Sequence, residues 1–252
     1  MRWIIAFGLL FCLAGCASFS GENKERADLH TQIGNGHFEH HNWPLALREY
    51  LEAEKLDPSS PIIQNNLGLT YFMRDRYDMA EKHLKKALEL QPNYSDARNN
   101  LARIYIDRGR YQEAEAELKK VLNDLTYSGV DRAWLNLGMS HFNQKKWSEA
   151  RNDFTQSLKV SRESCFANSY YGRTFFETED YPRAAETLDR AIGYCEKQLY
   201  DEPHYFSALA WYRTGDKERS IARFEEVLKL YPNGKYREKA RAMLDLIRKG
   251  VE

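Results

Sequence analysis

The sequence has few prolines, long segments without glycine and no excess of charge of either sign. Its 252 residues include 37 basic and 37 acidic side chains, so the formal net charge at pH 7 is zero. This balance excludes an extended basic surface for nucleic acid or another polyanion. The charged residues, 29% of the chain, are interspersed rather than blocked, which argues against disorder. Only seven prolines interrupt the chain, and this favours helix.

Long hydrophobic runs are also lacking, except at the start of the chain. Residues 3–15, "WIIAFGLLFCLAG", are apolar apart from two glycines. This run is shorter than the roughly 20 residues that a membrane-spanning helix needs. One arginine precedes it and small residues end it, which predicts a secretory signal peptide.

The end of the run, "LAGC" at residues 13–16, resembles a bacterial lipobox. In that family of signals the peptide is removed before the cysteine, which then carries the acyl chains. The resemblance implies a signal peptide over residues 1–15 and a lipid-modified (palmitate-type) Cys16 as the first residue of the mature chain. The alternative is an ordinary signal peptide in which Cys16 is incidental.

The residues after the cysteine bear on location and flexibility. Ala17 and Ser18 follow, with no Asp next to the anchor. Among bacterial lipoproteins an Asp there favours the inner membrane, so the resemblance implies an outer-membrane location on the periplasmic face. Residues 16–26 are polar and aperiodic after the anchor, and we expect a lipidated N-terminus with a flexible tether.

The rest of the chain, residues 27–252, consists of repeats. A small residue recurs every 34 to 36 positions, at Gly34, Gly68, Ala102, Gly138, Gly172 and Ala208. In the first three units an alanine follows twelve residues later, at Ala46, Ala80 and Ala114. This pattern resembles the tetratricopeptide repeat. The resemblance implies an all-α fold, a right-handed superhelix of six helix-turn-helix repeats whose small residues let paired helices approach. Residues 235–249 are expected to form a C-terminal capping helix with Met243, Leu244 and Ile247 facing inward.

Two late cysteines fall at neighbouring ends of one predicted helix pair. Cys165 begins the first helix of repeat 5, and Cys195 lies near the end of the second. Because the two helices are antiparallel, these ends are close, and a disulfide is expected in an exported chain. The alternative is a pair of buried free thiols that pack as small apolar groups.

No motif of catalysis is present. The chain has no glycine-rich phosphate loop, nucleophile elbow or CxxC motif. His37 and His41 have the i, i+4 spacing of metal ligands, but no second ligand set accompanies them. We therefore expect no enzyme activity, no cofactor, no bound metal and no small-molecule substrate.

The candidate functional site is the concave surface that the first helices of such repeats form. Asparagines there can hold the backbone of an extended peptide, and apolar residues between them can take its side chains. The hypothesised peptide-binding groove comprises Asn35, Asn66, Leu69, Phe72, Asn100, Arg103, Asn136, Met139, Phe142, Tyr170, Arg173 and Phe176. The alternative for the apolar members is packing between helices. The carboxylate clamp of chaperone adaptors is excluded, because its basic residues are missing here and Thr31 and Asp96 stand at two of its positions.

The lipobox, the short tether and the six repeats together resemble the pilotin lipoproteins of type IV pilus systems, the group of PilF, PilW and Tgl. A two-residue insertion near "NDLTYSGVDRAWLNLG" also resembles that group. The resemblance implies an outer-membrane lipoprotein that binds secretin subunits and promotes their localisation and multimer assembly for type IV pilus biogenesis. The alternative is a tetratricopeptide lipoprotein of outer-membrane barrel assembly, which the segment "FEEVLKLYPNGKYREKARAML" resembles, or another periplasmic scaffold.

Overall fold

The computed structural model describes residues 3–250, except for the side chains of residues 3–20 and of Lys197. This part of the chain contains helices and no strand. The α-helices are α1 (Trp3–Glu39), α2 (Trp43–Leu56), α3 (Pro61–Phe72), α4 (Tyr77–Leu90), α5 (Ser95–Asp107), α6 (Tyr111–Leu122), α7 (Val130–Asn143), α8 (Trp147–Val160), α9 (Cys165–Glu177), α10 (Tyr181–Cys195), α11 (Glu202–Arg213), α12 (Lys217–Leu230) and α13 (Arg237–Arg248). A short 3₁₀ helix, Glu196–Gln198, follows α10.

Consecutive helices pack as the pairs α1–α2, α3–α4, α7–α8, α9–α10 and α11–α12, and α13 packs on α12. This architecture and the matching repeat models confirm the predicted all-α tetratricopeptide-repeat fold. The chain divides into two compact units, unit 1 (Met1–Arg108) and unit 2 (Gly109–Glu252). Unit 1 contains α1 to α5, and unit 2 contains α6 to α13.

Close approach of the two helices in a pair depends on the small residue of each repeat. A methyl group added at Gly34 would lie 2.6 Å from the Tyr50 ring, and one added at Gly68 would lie 2.6 Å from Leu84. Any larger side chain at these positions would push the helices apart. The period of 34 to 36 residues in the sequence therefore corresponds to one helix pair, with the small residue at the contact between its two helices.

The turns inside the pairs have a common geometry. Each contains one residue with a left-handed backbone, at His41 (φ 58°), Asp75 (57°), Gly109 (72°), Lys145 (60°), Glu179 (61°) and Gly215 (90°). Helix starts are fixed by capping side chains, as where Ser60 accepts a hydrogen bond from the Ile63 amide at 3.4 Å before Pro61 opens α3. These local signals set the helix boundaries.

The terminal helix α13 closes the core of unit 2. Leu244 and Ile247 are buried, and Met243 packs at their border, against a cluster that includes Phe224 and Val227. Met243, Leu244 and Ile247, which were predicted to face inward, therefore lie on the face of α13 that packs against the core.

Cys165, the first residue of α9, and Cys195, the last of α10, are joined by a disulfide. Their Cα atoms lie 4.8 Å apart. The bridge ties together the two ends of one helix pair.

The amino-terminal predictions concern residues whose side chains are not described. The lipid-modified Cys16 lies outside the described side chains, and α1 runs continuously through residues 16–26, where a tether is expected. Within the described part of the chain, no helix combines the length and apolar character needed to cross a membrane.

Candidate functional site

In unit 1, the six predicted groove residues are all accessible to solvent. Asn35 is exposed, and the other five are partly buried. They come from the first helices of three successive repeats, α1, α3 and α5: Asn35, Asn66, Leu69, Phe72, Asn100 and Arg103. Unit 1 therefore presents a continuous first-helix surface to a ligand.

A chain of carboxamides runs across this surface. The Asn100 Nδ2 donates to Asn65 Oδ1 at 2.9 Å, the Asn65 Nδ2 to Asn66 Oδ1 at 3.2 Å, and the Asn66 Nδ2 to Asn35 Oδ1 at 3.1 Å. We call Asn35, Asn65, Asn66 and Asn100 the asparagine ladder. The first and last of these bonds join successive repeats, and the middle one joins two neighbours on α3.

The ladder ends on a tyrosine of the second helix. Tyr50 donates its hydroxyl hydrogen to Asn35 Oδ1 at 2.7 Å. Burial, with a smaller contribution from Glu39, raises the pKa of Tyr50 to about 12. The phenol therefore stays a neutral donor, and Asn35 Oδ1 accepts two hydrogen bonds.

The ladder leaves hydrogen-bonding capacity for a ligand. A carboxamide nitrogen carries two hydrogens, and the ladder uses one from Asn66 and one from Asn100. The second hydrogen of each suits a peptide carbonyl. Because both side chains are only partly buried, an extended backbone can reach them.

Apolar and charged groups flank the ladder. Leu69 and Phe72 lie one and two turns further along α3 from Asn65, and the Phe72 ring packs edge-to-face on Tyr77 at 5.9 Å. Arg103 Nε donates to Asp107 Oδ1 at 3.2 Å, so its charge is balanced within α5. The surface is thus mixed polar and apolar, as a peptide site requires.

In unit 2, the predicted groove residues pack against one another. Asn136, Met139 and Phe142 are buried on α7. The Phe142 ring contacts Tyr170 edge-to-face at 5.3 Å, and the Tyr170 ring in turn stacks on Phe154 at 5.7 Å. Several apolar members therefore follow the alternative interpretation, packing between helices.

Arg173 is the centre of this packing. Its guanidinium carbon lies 3.9 Å from the Phe206 ring centroid and 5.0 Å from that of Phe142. Phe176 completes the group through an edge contact with Phe206 at 5.5 Å. We call Phe142, Arg173, Phe176 and Phe206, with Glu202, the Arg173 cluster.

Two carboxylates neutralise this arginine. Arg173 Nη1 donates to Glu202 Oε1 at 2.6 Å and Nη2 donates to Glu177 Oε1 at 3.1 Å. Burial opposes the charge, but the contacts with Glu202 and Glu177 outweigh it and raise the pKa of Arg173 above its ordinary value. The Arg173 Nε is buried and has no hydrogen-bond partner. Arg173 is therefore a paired cation inside unit 2.

A tyrosine at the start of the last helix joins the Arg173 cluster. The Tyr236 hydroxyl donates to Glu202 Oε2 at 3.2 Å, and its backbone N–H donates to Asp201 Oδ2 at 2.7 Å. Burial, together with the Glu202 charge, raises the pKa of Tyr236. The contact fixes α13 to the start of α11.

Sequence reasoning did not identify Tyr50, Glu202, Phe206 or Tyr236 as site residues. The repeat pattern places Tyr50 as a core aromatic, and its hydroxyl gives no sequence signal. The contacts of Glu202 and Tyr236 join positions 29 to 34 residues apart, which no local pattern reports.

The histidine pair of repeat 1 is not part of a larger ligand set in the described region. His41 packs its ring against Trp43 at 5.1 Å. Among the residues with described side chains, no three His, Cys, Asp or Glu groups are arranged to hold a metal ion.

Comparison with known families gives one consistent result. Models described as tetratricopeptide repeat or TPR repeat match residues 34–75, 59–126, 131–164 and 171–235. The chain was also compared with curated protein sequences, and none matches.

Solved structures with the same fold include the proteins PilF and PilW. PilF of Pseudomonas aeruginosa has a TM-score of 0.72 and 20% identity, over 88% of this chain and 99% of that one. PilW, described as a widely conserved type IV pilus biogenesis factor, has a TM-score of 0.74 and 18% identity, over 83% and 95%. Cut9, solved with Hcn1 as part of the APC/C, has a TM-score of 0.78 and 16% identity over 91% of this chain, but only 45% of its own length is covered.

Proposed function

The chain is a tetratricopeptide-repeat protein, and we propose that it acts as a pilotin, a lipid-anchored scaffold for secretin assembly. In this proposal Cys16 carries the acyl chains, and the protein sits on the periplasmic face of the outer membrane. It binds secretin subunits of a type IV pilus machine and promotes their multimer assembly there. Its role is protein binding rather than catalysis.

One observation carries the proposal. The match to PilF and PilW is nearly complete in both directions, with 88% and 83% of this chain and 99% and 95% of those chains, at TM-scores of 0.72 and 0.74. The match to Cut9 covers less than half of that protein, as expected where only a stack of repeats is shared. The lipobox at residues 13–16 supports the same assignment.

The asparagine ladder supplies the binding step. An extended secretin segment would place its backbone carbonyls on the free amide hydrogens of Asn66 and Asn100, and its apolar side chains on Leu69 and Phe72. Lipid anchoring keeps the captured subunit near the membrane, which raises its effective concentration there. The Arg173 cluster stabilises unit 2 and offers no comparable free donors.

The test is deletion of the gene followed by gel analysis of heat-resistant secretin multimers. Outer-membrane barrel proteins are measured in the same samples. We expect multimers to be lost while secretin monomer and barrel proteins persist. Normal multimers with depleted barrel proteins would contradict the proposal and favour a role in barrel assembly.

The ladder is tested by complementation. A chain with Asn66→Ala and Asn100→Ala is expected to fold but to restore few multimers. Asn93→Ala, at an exposed turn before α5, is the matched control and should restore them fully. Full activity of the double variant would show that the ligand binds elsewhere.

A further inference from the structure

One stripe of α3 carries apolar side chains on the surface that holds the asparagine ladder. Residues spaced i, i+4, i+7 and i+11 point in nearly the same direction from a helix. Along α3 and its last turn these residues are Ile62, Asn66, Leu69 and Met73. Ile62 is 53% exposed and Met73 is 41% exposed. The stripe therefore presents apolar groups to solvent on both sides of a ladder amide.

The core of unit 1 does not use the two exposed ends of this stripe. Ile63 and Leu67, on another side of the same helix, are buried in that core together with Tyr50. Ile62 and Met73 lie outside it, where a polar side chain would suit a helix equally well. Aligned exposed apolar groups on one face are typical of an interaction site.

The neighbouring first helices have carboxylates where the α3 stripe has its exposed apolar ends. One repeat earlier, α1 has Asp28 and Glu39 at these two positions, and one repeat later, α5 has Asp96 and Asp107. None of the four is buried. We call the three stripes of this spacing, which begin at Asp28, Ile62 and Asp96, the ladder face.

The three stripes lie close together. The Asn66 Nδ2 donates to Asn35 Oδ1 of α1 at 3.1 Å, and the Asn100 Nδ2 of α5 donates to Asn65 Oδ1 at 2.9 Å. All three helices belong to unit 1. A segment that lies on the α3 stripe is therefore flanked by the carboxylates of both neighbouring helices.

The ladder face is acidic. Its four carboxylates are accompanied by a single basic group, Arg103, whose Nε donates to one of them at 3.2 Å. At the border, Arg74 is followed directly by Asp75 in the turn after α3. Arg108 donates to Asp78 of α4 at 2.5 Å. Acidic groups therefore outnumber basic ones on the face, and the bases at its border have acidic neighbours of their own.

This acidity is particular to unit 1. The same positions of α7, α9 and α11 carry three arginines and two glutamates, namely Arg132, Arg173, Arg213, Glu177 and Glu202. Since all these helices belong to the same kind of repeat, the repeat itself does not require carboxylates there. A ligand of opposite charge explains them.

Charge and length together define the ligand. A second copy that presents the same face would place carboxylates against carboxylates, and phospholipid and nucleic-acid surfaces are anionic as well. Lysine or arginine side chains of a protein segment are attracted instead. The spacing from i to i+11 corresponds to about 16 Å of helix, which about five residues of extended chain also span.

We propose that the ladder face binds an extended segment of about five apolar residues with lysine or arginine on both sides. Ile62, Leu69 and Met73 contact the apolar side chains, and the ladder amides bond to the backbone. The carboxylates at the two ends of the face pair with the basic groups. That this segment belongs to a secretin rests on the proposed function, whereas its chemistry does not.

Peptide binding tests the proposal. Three fluorescein-labelled peptides share one core of five apolar residues and differ only in the flanks, which are two lysines, two serines or two glutamates on each side. The full chain is titrated into each peptide, and fluorescence anisotropy gives the Kd at about 50 mM and about 500 mM salt. Asp28→Asn with Glu39→Gln neutralises one side of the face. Glu22→Gln with Glu89→Gln, at exposed positions outside the face, is the matched control.

We expect the lysine-flanked peptide to bind about five-fold or more tightly than the serine-flanked one at low salt, and the ratio to approach one at high salt. Asp28→Asn with Glu39→Gln should weaken binding of the lysine-flanked peptide by about three-fold and leave that of the serine-flanked peptide unchanged. The control variant should leave both unchanged. Equal affinities for the lysine-flanked and glutamate-flanked peptides, or binding of none of the three, would overturn the proposal.

Sedimentation of the chain alone tests the remaining occupant. A dimer that Ile62→Asp dissociates would assign the ladder face to a second copy and overturn the proposal. No secretin is present in either experiment, so the outcome is separate from the pilus role. If deletion abolishes secretin multimers but the peptides bind equally, the charge selection is wrong and the pilotin role stands. Lysine-selective binding with normal multimers would support the ligand class and contradict the pilotin role.

Discussion

Replacing Glu202 with alanine should destabilise unit 2 more than any change at the surface. The Arg173 guanidinium would lose its shortest contact, the 2.6 Å hydrogen bond from Nη1 to Glu202 Oε1. The arginine side chain is only 15% exposed and the glutamate side chain 5%. Water therefore cannot replace the missing carboxylate without opening the packing.

The magnitude follows from the geometry. Two unit charges about 4 Å apart attract by about 4 kcal/mol at an effective dielectric constant of about 20. Measured losses for removing one member of a buried pair are about 3–5 kcal/mol. Arg173 keeps Glu177 and the Phe206 ring, while Tyr236 loses an acceptor worth about 1 kcal/mol. We therefore expect Glu202→Ala to lower the free energy of unfolding by about 3 kcal/mol.

Replacing both charges tests the explanation. Met fits between aromatic rings, and Leu fills the space of the glutamate. The double variant Arg173→Met with Glu202→Leu should therefore lose less free energy of unfolding than Glu202→Ala alone. Glu177→Ala removes an exposed partner and should cost less than about 1 kcal/mol.

Urea unfolding followed by circular dichroism gives these values. Near-ultraviolet spectra would show whether the aromatic packing of unit 2 responds. Equal losses of unfolding free energy for Glu202→Ala and Glu177→Ala would show that Arg173 does not depend on its buried partner. A double variant less stable than Glu202→Ala would show that the lost charge pair is not what destabilises the single variant.

Three further predictions concern the helix pairs. Gly34→Ala should lower the free energy of unfolding by about 1–3 kcal/mol, because the added methyl would lie 2.6 Å from an aromatic ring of α2. Gly36→Ala on the same helix meets nothing within 4 Å and should raise the free energy of unfolding by about 0.5–1 kcal/mol. Thermal unfolding of both variants measures this, and equal effects would be inconsistent with the close approach. Burial lowers the pKa of His83 below 6.5, so stability present above pH 6.5 is lost as the pH falls through the folded-state pKa. Between about pH 7 and about pH 5, the Tm of His83→Gln should fall less steeply than the Tm of the unchanged chain. Parallel plots of Tm against pH for the two proteins would contradict this. Reduction of the Cys165–Cys195 bridge, which spans 30 residues, should cost about 3–4 kcal/mol in the chain-entropy model, and an unchanged Tm in reductant would disprove it.

The repeat architecture could be predicted from the sequence because each helix pair needs a small residue at a fixed place. Gly68 and Gly172 mark that place, and a methyl group added at either would lie 2.6 Å and 2.7 Å, respectively, from a leucine of the paired helix. The left-handed turn residues could not be predicted in the same way. Asp75 and Glu179 hold this conformation without being glycine, because the helices on both sides fix the turn.

The accessible and the packed parts of the site could not be separated from the sequence alone. Arg103 and Arg173 both directly follow the small residue of their repeat, yet Arg103 pairs with Asp107 of its own helix whereas Glu202 lies on Arg173. The difference arises from residues elsewhere in the chain: Glu202 and Phe206 come from the next repeat and enclose the arginine. Positions 29 or more residues apart leave no periodic signal of such a contact.

The polar side chains of the first helices, and the partners they already have, decide which helix pairs can bind a ligand. In unit 1 the first helices carry asparagines, which bond to one another through one amide hydrogen and keep the other for a partner. In unit 2 the first helices carry aromatic rings around Arg173, whose charge is already matched. A ligand there would have to displace a buried ion pair, whereas on the asparagine ladder it would only add hydrogen bonds. For this reason, we expect specificity for the bound segment to be encoded in unit 1.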